Sequence, residues 1–469
     1  MAPVPVSSGL EEWSVFERAH TLVTFSPYVT KVAVSPDVAR FLCFLTIIQM
    51  TMKTHYQVLI IGGGTAGIMT AAQLKRKRHE LQVAIVEPSE THWYQPAWTL
   101  VGAGTFDMDK TRRSEQSVMP KGVDWIKDRA TEIHPAQNKV ALASGRTVTY
   151  DFLVLATGLV NDYSLIEGLD HALETGAVCS NYVDPEYTWK SLERFNGGTA
   201  LFTQPATPIK CGGAPQKAMY LAADYLKEKV LDKKTKILFL TPGTVIFAVK
   251  QVAETLTEVI NRFGIKLKLF HTPVRIDGDR KLAYFKDNTP PNQKKEPGQL
   301  PPGARITDDG LLEIPFDFLH LAPPQKAPDF VAKSELANPA GWADVDYHSL
   351  QHKKFSNVFA LGDVAALPTA KTGAAIRKQA PVVVDNLLKL LDHKAADNTS
   401  YDGYSSCPLV TGYGKMVLAE FDYKNEFKPD PLLKLMLIFR SYREHWRLWM
   451  LKKYGLPYMY WNKMLKGKM

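Results

Sequence analysis

The chain has 469 residues, 45% of them hydrophobic, so it is long enough for two or three domains with cores of their own. Its formal net charge of +9 is concentrated near one end, since residues 431–469 hold nine Lys and Arg against one acid, Glu444. A basic, aromatic-rich segment of this kind fits a membrane surface better than nucleic acid, which we exclude as a partner. Four cysteines without a Cys-x-x-Cys pair exclude a disulfide scaffold and argue against a metal site.

The first 54 residues predict an extension outside the main fold. Residues 1–55 contain four basic and four acidic side chains, whereas mitochondrial presequences are rich in Arg and poor in acids. The apolar run over residues 41–48 is too short to cross a bilayer.

A glycine-rich turn follows an apolar run at residues 58–61, which predicts a strand buried on both faces of a parallel sheet. The turn has the pattern G-x-G-x-x-G, and its glycines are Gly62, Gly63, Gly64 and Gly67. Residues 81–86 predict the second strand, and Glu87 ends it. Such a turn admits a pyrophosphate at the start of the following helix, and the acid takes ribose hydroxyls. The set therefore predicts a dinucleotide site.

Three later segments extend this pattern. Residues 124–150 predict an antiparallel insert, and residues 151–158 form an apolar strand that ends in Ala-Thr-Gly. Residues 236–262 repeat the strand, turn and helix, but their turn holds Gly243 alone. Residues 357–363 form a further apolar strand that ends in Gly-Asp. This order resembles the flavoprotein superfamily with two dinucleotide-binding domains.

The resemblance implies an α/β fold with two interleaved Rossmann-like domains and FAD in the first. The second turn lacks the glycines that let a backbone approach a pyrophosphate, so we expect no nicotinamide site there. We predict an N-terminal extension, an FAD-binding domain in two parts, a second dinucleotide-binding-like domain between them, and a C-terminal membrane-associated segment. The predicted ranges are, in that order, 1–54, 55–180 with 341–415, 181–340, and 416–469.

Cys211 is the candidate catalytic residue. It stands between a predicted strand (199–203) and a helix predicted from about Gln216, next to Lys210 and two glycines. A thiol at a helix start beside a cation has a lowered pKa and is reactive, whereas burial would raise its pKa and leave a structural residue. Both interpretations stay open on the residues alone.

Longer motifs narrow the resemblance to the mitochondrial-type sulfide:quinone oxidoreductase family. They lie at residues 85–90, 94–104, 124–127, 209–217, 367–372 and 401–413. The resemblance implies contacts to FAD from Gly62–Gly64, Glu87, Gln95, Ala130, Asp363 and Lys371, and a persulfide on Cys211. It also implies oxidation of sulfide with a small sulfur acceptor, electron transfer to a membrane quinone, and a place on the mitochondrial inner membrane surface.

One residue departs from the expected pattern. The resemblance places a second redox cysteine after the Gly-Asp motif, where this chain has Val364. Cys179 is one substitute, although it also fits a buried structural residue, and the Cys-Pro-Leu-Val context of Cys407 indicates a structural role. Alternatively, Cys211 acts alone, or the chain keeps FAD and has lost sulfide oxidation. A type II NADH:quinone reductase is a further alternative, which the lone Gly243 disfavours.

The C-terminal segment predicts an amphipathic helix that lies on the membrane. Apolar and aromatic residues recur at helical spacing from Leu432 to Met450, and Arg440, Arg443 and Arg447 fall on other faces. Such a segment brings a flavoprotein to a quinone in the bilayer without a spanning helix.

Overall fold

Two parallel sheets organise the chain from Thr54 onward in this computed structural model, which describes residues 53–292, 301–394 and 400–469. The extension predicted over residues 1–54 falls almost wholly outside the described residues. The fold is α/β, as predicted.

The first sheet has five parallel strands and an antiparallel insert. In spatial order the parallel strands are Asp124–Ile126, Val83–Val86, His55–Ile61, Thr147–Leu155 and Val358–Ala360. The insert is made by Lys139–Leu142 and Ala130–His134, which pair beside the start of Thr147–Leu155. Along the first strand Val58 and Ile60 enter one core, while Leu59 and Ile61 enter another. Both faces are therefore covered, which explains the continuous apolar run.

Helices Thr65–Lys77 and Gly373–Leu391 pack together on one face of this sheet. The second helix begins after Thr372, whose hydroxyl accepts the Ala375 amide and caps it.

The second sheet is entirely parallel. Its strands, in spatial order, are Lys266–Lys268, Thr235–Leu240, Gly198–Thr203 and Phe318–Leu321. Helices Ala214–Glu228 and Lys250–Phe263 contribute to its core. An antiparallel sheet beside it holds His271–Asp277, Leu282–Asp287, Leu312–Pro315 and Arg305–Ile306.

The chain crosses between the sheets twice. Val160–Asn161 on the way out pairs antiparallel with Gln325–Lys326 on the way back. The later strand Val358–Ala360 then rejoins the first sheet beside Thr147–Leu155. The two dinucleotide-binding-like folds are therefore interleaved, while the five-part division with its stated boundaries stays a prediction.

Short elements connect these layers. They include the helices Trp98–Val101, Glu115–Val118, Leu169–Glu174, Pro185–Arg194 and Asp329–Ala332, and the small strands Thr91–Trp93 and Arg112–Ser114, which pair with each other.

The C-terminal segment differs from its prediction. Its first residues lie in a buried antiparallel hairpin, Ser405–Gly412 with Lys415–Phe421, and are not a membrane helix. Pro431–Met436 is a short 3₁₀ helix, after which Leu437 takes a left-handed φ of 56° and ends it. The continuous helix predicted across residues 432–450 is therefore wrong. A helix begins only at Trp446 and continues to Met464, with two wide π-helical stretches, Leu451–Gly455 and Tyr460–Met464.

Large apolar side chains in this segment divide between the core and solvent. Leu433, Ile438, Leu448 and Leu465 are buried. Eight others are exposed, and we call them the exposed apolar surface: Leu432, Leu435, Leu437, Phe439, Trp446, Met450, Tyr454 and Tyr458. Across residues 53–292, 301–394 and 400–469, no helix combines the length and apolar character needed to cross a bilayer.

Candidate active site

The glycine-rich turn has the geometry of a dinucleotide site. Gly62 has φ +107°, and a side chain there would collide with the Ala156 carbonyl. A Cβ on Gly67 would collide with the Gly62 carbonyl, so helix Thr65–Lys77 can approach the strand only with glycine there. A Cβ on Gly64, by contrast, would meet no atom of the described chain within 4 Å. This open face lies where a dinucleotide fold admits the pyrophosphate.

Glu87 is oriented beside the turn. Its carboxylate accepts the Gly63 amide at 2.7 Å and the Ser89 amide at 2.8 Å. It ends the second strand of the sheet, the position from which an acid reaches an adenosine ribose. The residues present therefore fit the ADP portion of FAD. Ala130 is buried at the start of strand Ala130–His134 in the same sheet.

The other residues assigned to FAD lie close to Cys211. Lys371 donates through Nζ to the carbonyl oxygens of Asp363 and Ala365 at 2.6 and 3.0 Å. Its own carbonyl accepts the Cys211 amide at 2.7 Å. The neighbouring Lys210 donates to Gln95 Oε1 at 2.6 Å. Four of the predicted site positions are thus brought together around this peptide bond.

Burial dominates the electrostatics of this group. It raises the pKa of Asp363, although Lys371 and Lys210 oppose that change. It also lowers the pKa of Lys210 and lowers that of Lys371 to about 8, and Asp363 opposes both shifts. The carboxylate and the two ammonium groups therefore depend on one another for their charges.

Cys211 has two reactive neighbours. Its Sγ lies 4.0 Å from Cys407 Sγ and accepts a hydrogen bond from Lys217 Nζ at 3.0 Å. The Cys407 thiol and then the Lys217 ammonium lower the pKa of Cys211 well below its usual value, against the effect of burial. The thiolate in turn raises the pKa of Cys407. The pair is thus one thiolate and one thiol within reach of a disulfide.

The backbone at Cys211 is strained. Its φ is 55°, in the left-handed region that a β-carbon disfavours, at a cost of order 1 kcal/mol or more. The Ala214 amide donates to the Cys211 carbonyl at 2.7 Å, and the Tyr182 hydroxyl donates to it at 3.3 Å. Strain held by such contacts is typical of functional positions.

The sequence context of Cys407 indicated a structural role, and the structure places its sulfur 4.0 Å from that of Cys211. Cys179 is a different case. Its thiol donates to the Leu319 carbonyl at 3.4 Å, and burial raises its pKa to about 12. Val364 is fully buried in the core of the first sheet. A valine there does not deprive Cys211 of a second thiol.

Two lysines near the thiol pair were not predicted as site residues from the sequence. Lys217 is 2% exposed in the first turn of helix Ala214–Glu228, and the charge on Cys211 raises its pKa although burial opposes this. Lys452 comes from the C-terminal helix and donates to the Pro96 carbonyl at 2.6 Å. Burial and then the nearby Lys217 lower its pKa to about 7. Lys217 stood in a quoted motif, but nothing distinguished Lys452 from the other basic residues around it.

Replacing Lys217 with Met should raise the pKa of Cys211, because the ammonium that stabilises its thiolate is lost while the packing of the side chain is kept. We expect alkylation of Cys211 at pH 7 to slow at least about tenfold and its pH profile to move upward. Mass spectrometry of the Cys211 peptide measures this. Lys227→Met, on an exposed turn of the same helix, is the control. An unchanged profile in Lys217→Met contradicts the assigned thiolate.

Comparison with known proteins agrees with this geometry. The family model described as pyridine nucleotide-disulphide oxidoreductase matches residues 56–384. The mitochondrial sulfide:quinone oxidoreductase of Mus musculus is 40% identical over 457 residues, which cover 94% of this chain and 96% of that protein. The chain belongs to the sulfide:quinone oxidoreductase family.

Two further relatives extend the family likeness. The mitochondrial sulfide:quinone oxidoreductase of Dictyostelium discoideum is 38% identical, with 89% of this chain and 87% of that protein covered. The crystal structure of the sulfide:quinone oxidoreductase of Aquifex aeolicus has a TM-score of 0.68 at 19% identity, over 88% of this chain and 92% of that one. At that identity the structural likeness shows the fold alone.

Proposed function

We propose that the chain is an FAD-dependent oxidoreductase that oxidises sulfide and passes the electrons to a quinone. The observation that carries this is the pair Cys211 and Cys407, whose sulfurs lie 4.0 Å apart, next to Lys217 and beside the residues assigned to FAD. The names of the family relatives support sulfide as substrate and quinone as acceptor. Mitochondrial location is part of those same names, and we extend it to this chain.

The covalent chemistry begins with the two cysteines joined as a disulfide. Hydrosulfide attacks one sulfur, so that an S–S bond forms to the incoming sulfur and the Cys211–Cys407 bond breaks. The products are one persulfide and one thiolate. The thiol of lower pKa leaves faster, which favours attack on Cys407 and release of Cys211 as the thiolate held by Lys217. The resemblance had implied a persulfide on Cys211 instead.

The cycle closes in two stages. A small nucleophilic acceptor takes the outer sulfur of the persulfide. This transfer leaves two thiols, which keep the two electrons that came from sulfide. FAD, when bound, supplies the acceptor for the two electrons that the thiols lose on returning to the disulfide, and the quinone takes them afterwards. The Lys371 carbonyl joins the two segments of the site at the Cys211 amide, and Lys371 Nζ donates to the Asp363 carbonyl.

The positive charge beside the thiol pair favours anionic reactants. Lys217 and Lys452 both approach the thiol pair from outside the sheets, and both interact electrostatically with the two sulfurs. Buried ammonium groups stabilise thiolate and hydrosulfide, which are the nucleophilic forms. We therefore propose that anionic reactants are held against this side of the thiol pair.

We propose that the exposed apolar surface rests on the mitochondrial inner membrane, where the quinone is dissolved. Trp446, Met450, Tyr454 and Tyr458 recur every four residues, and the wide turns keep them nearly in line along the helix. Lys434 and Arg440 are exposed among the apolar residues and suit anionic headgroups.

Substituting Phe439, Trp446 and Met450 together with Ser should weaken binding to anionic liposomes at least about tenfold, because each loses apolar area that lipid would cover. Sedimentation with vesicles measures this. Removing all of residues 431–469 would be uninformative, since Leu448, Trp461 and Leu465 are core residues. The control carries Val245→Ser and Ile306→Ser, two exposed apolar residues elsewhere. Equal binding of both variants and the original contradicts the proposal.

Anaerobic titration of the FAD-loaded protein tests the proposed function. Sulfide should bleach the flavin absorbance, and a quinone analogue should restore it. NADH should bleach the flavin slowly or not at all. Nine residues separate strand Thr235–Leu240 from helix Lys250–Phe263, whereas the turn that binds a dinucleotide is short. A flavin that responds to NADH and ignores sulfide contradicts the proposed function.

A further inference from the structure

The glycine-rich turn is connected to the C-terminal helix by side chains that the proposed sulfide chemistry does not use. His92 Nδ1 lies 3.1 Å from the Gly63 carbonyl, and its Nε2 lies 2.6 Å from the Tyr460 hydroxyl. The same hydroxyl lies 2.8 Å from Thr65 Oγ1, in the first residue of helix Thr65–Lys77. One phenol therefore contacts both sides of the turn, directly at Thr65 and through His92 at Gly63.

The proton positions in this network follow from the acceptors. A carbonyl oxygen only accepts, so His92 Nδ1 carries the proton that it shares with Gly63. Its Nε2 then accepts from the Tyr460 hydroxyl when the ring is neutral, and the Tyr460 oxygen accepts from Thr65. The chain of bonds is complete only while Tyr460 is in place.

A buried acid completes the group. Glu115 is 1% exposed, and its Oε2 lies 3.2 Å from His92 Nδ1. Its Oε1 has no hydrogen-bond partner among the described residues and lies where a side chain on Gly63 would project. The turn is thus enclosed on this side by Glu115 and His92, while its Gly64 side is open.

The end of the chain packs along the same helix. Tyr460 lies 4.6 Å from Tyr94 between ring centroids, and Arg113 lies 4.4 Å above the Trp461 ring. Gln73 Nε2 donates to the Met469 carbonyl at 2.6 Å. A side chain on Gly467 would collide with the backbone of Ala72, so the approach is close.

We propose that Tyr460 is a positioning residue for FAD, and that docking of the C-terminal helix and FAD binding stabilise each other. This inference rests on the proposed FAD site. The N–H groups of the turn bind a pyrophosphate only when its peptides are correctly rotated, and the His92 bond fixes the Gly63 peptide. Because coupling of two equilibria is reciprocal, FAD must favour the docked helix by the same factor by which the docked helix favours FAD.

Replacing Tyr460 with Phe removes only the hydroxyl and leaves His92 Nε2 unpartnered. We expect FAD to bind about tenfold more weakly, as measured by equilibrium dialysis and by flavin fluorescence on release. The control is Tyr458→Phe, on the same helix with its ring exposed. The rise in Tm on adding FAD should be smaller in Tyr460→Phe than in the control, which a general loss of stability does not produce.

The reciprocal arm uses the unaltered chain. Hydrogen exchange across residues 446–469 should quicken when FAD is removed and slow again when it is restored. Equal FAD affinity in the two Phe variants, or exchange that ignores FAD, overturns the inference. An unaltered chain that binds no FAD at all would instead overturn the proposed function.

Discussion

Cys407→Ser should abolish reduction of the flavin by sulfide as completely as Cys211→Ser. Neither single thiol can present the disulfide that hydrosulfide attacks, and a hydroxyl forms no persulfide. We expect a loss of about a thousandfold or more in each variant, the scale on which loss of a covalent nucleophile is felt. Stopped-flow absorbance after anaerobic mixing with sulfide measures the rate, and FAD content confirms that the fold is kept.

Two further variants make this prediction specific. Cys179→Ser should keep nearly full activity, since that thiol is engaged with the Leu319 carbonyl and burial raises its pKa. Val364→Cys should not raise the rate, because the second thiol is already present. Activity that survives in Cys407→Ser, or a large gain from Val364→Cys, contradicts the assigned pair.

Gly64→Val should remove FAD binding and leave the fold intact. A Cβ at Gly64 meets no atom of the described residues within 4 Å, so we expect the valine side chain to enter the space proposed for the pyrophosphate. The backbone there is extended, with φ −69° and ψ −171°, which valine accepts without strain. We expect a colourless, folded protein whose circular dichroism spectrum matches the FAD-free form of the original.

A graded control accompanies this variant. Gly64→Ala adds a single methyl group and should weaken FAD binding less than valine does. Gly67→Ala, in contrast, forces the methyl group against the Gly62 carbonyl and should also lower the stability of the FAD-free protein. Normal FAD binding by Gly64→Val contradicts the location of the cofactor.

Local patterns predicted the first sheet well. The strand His55–Ile61, the helix Thr65–Lys77 and Glu87 follow from spacing and turn chemistry within about thirty residues. The α/β class and the interleaving were implied by the family that the order of such units resembles. The strand, the turn and the helix depend on contacts between neighbours in sequence, so local patterns predict them.

The thiol pair could not be predicted in the same way. Cys211 and Cys407 are separated by 196 residues, and no periodicity relates them. Cys179 was weighed as a substitute partner, but the fold places its sulfur against the Leu319 carbonyl. Which cysteines meet is decided by how helix Ala214–Glu228 packs on the hairpin, which is a tertiary contact.

The C-terminal segment shows the opposite failure, in which a true pattern led to the wrong element. Apolar residues at helical spacing were present from Leu432 onward, but Leu433 and Ile438 are drawn into the core while Leu435 and Leu437 stay outside. The chain turns at Leu437 to achieve this, so tertiary packing overrides the local helical preference.

The contact between Thr65 and Tyr460 joins residues 395 positions apart, which has a consequence for how the protein is made. A ribosome adds roughly 5 to 20 residues each second. Tyr460 is therefore synthesised on the order of 20 to 80 seconds after the glycine-rich turn that it contacts. During that interval the first helix lacks its last packing partner. The supply of FAD and the chaperone capacity available during this interval would then govern the yield of holoprotein.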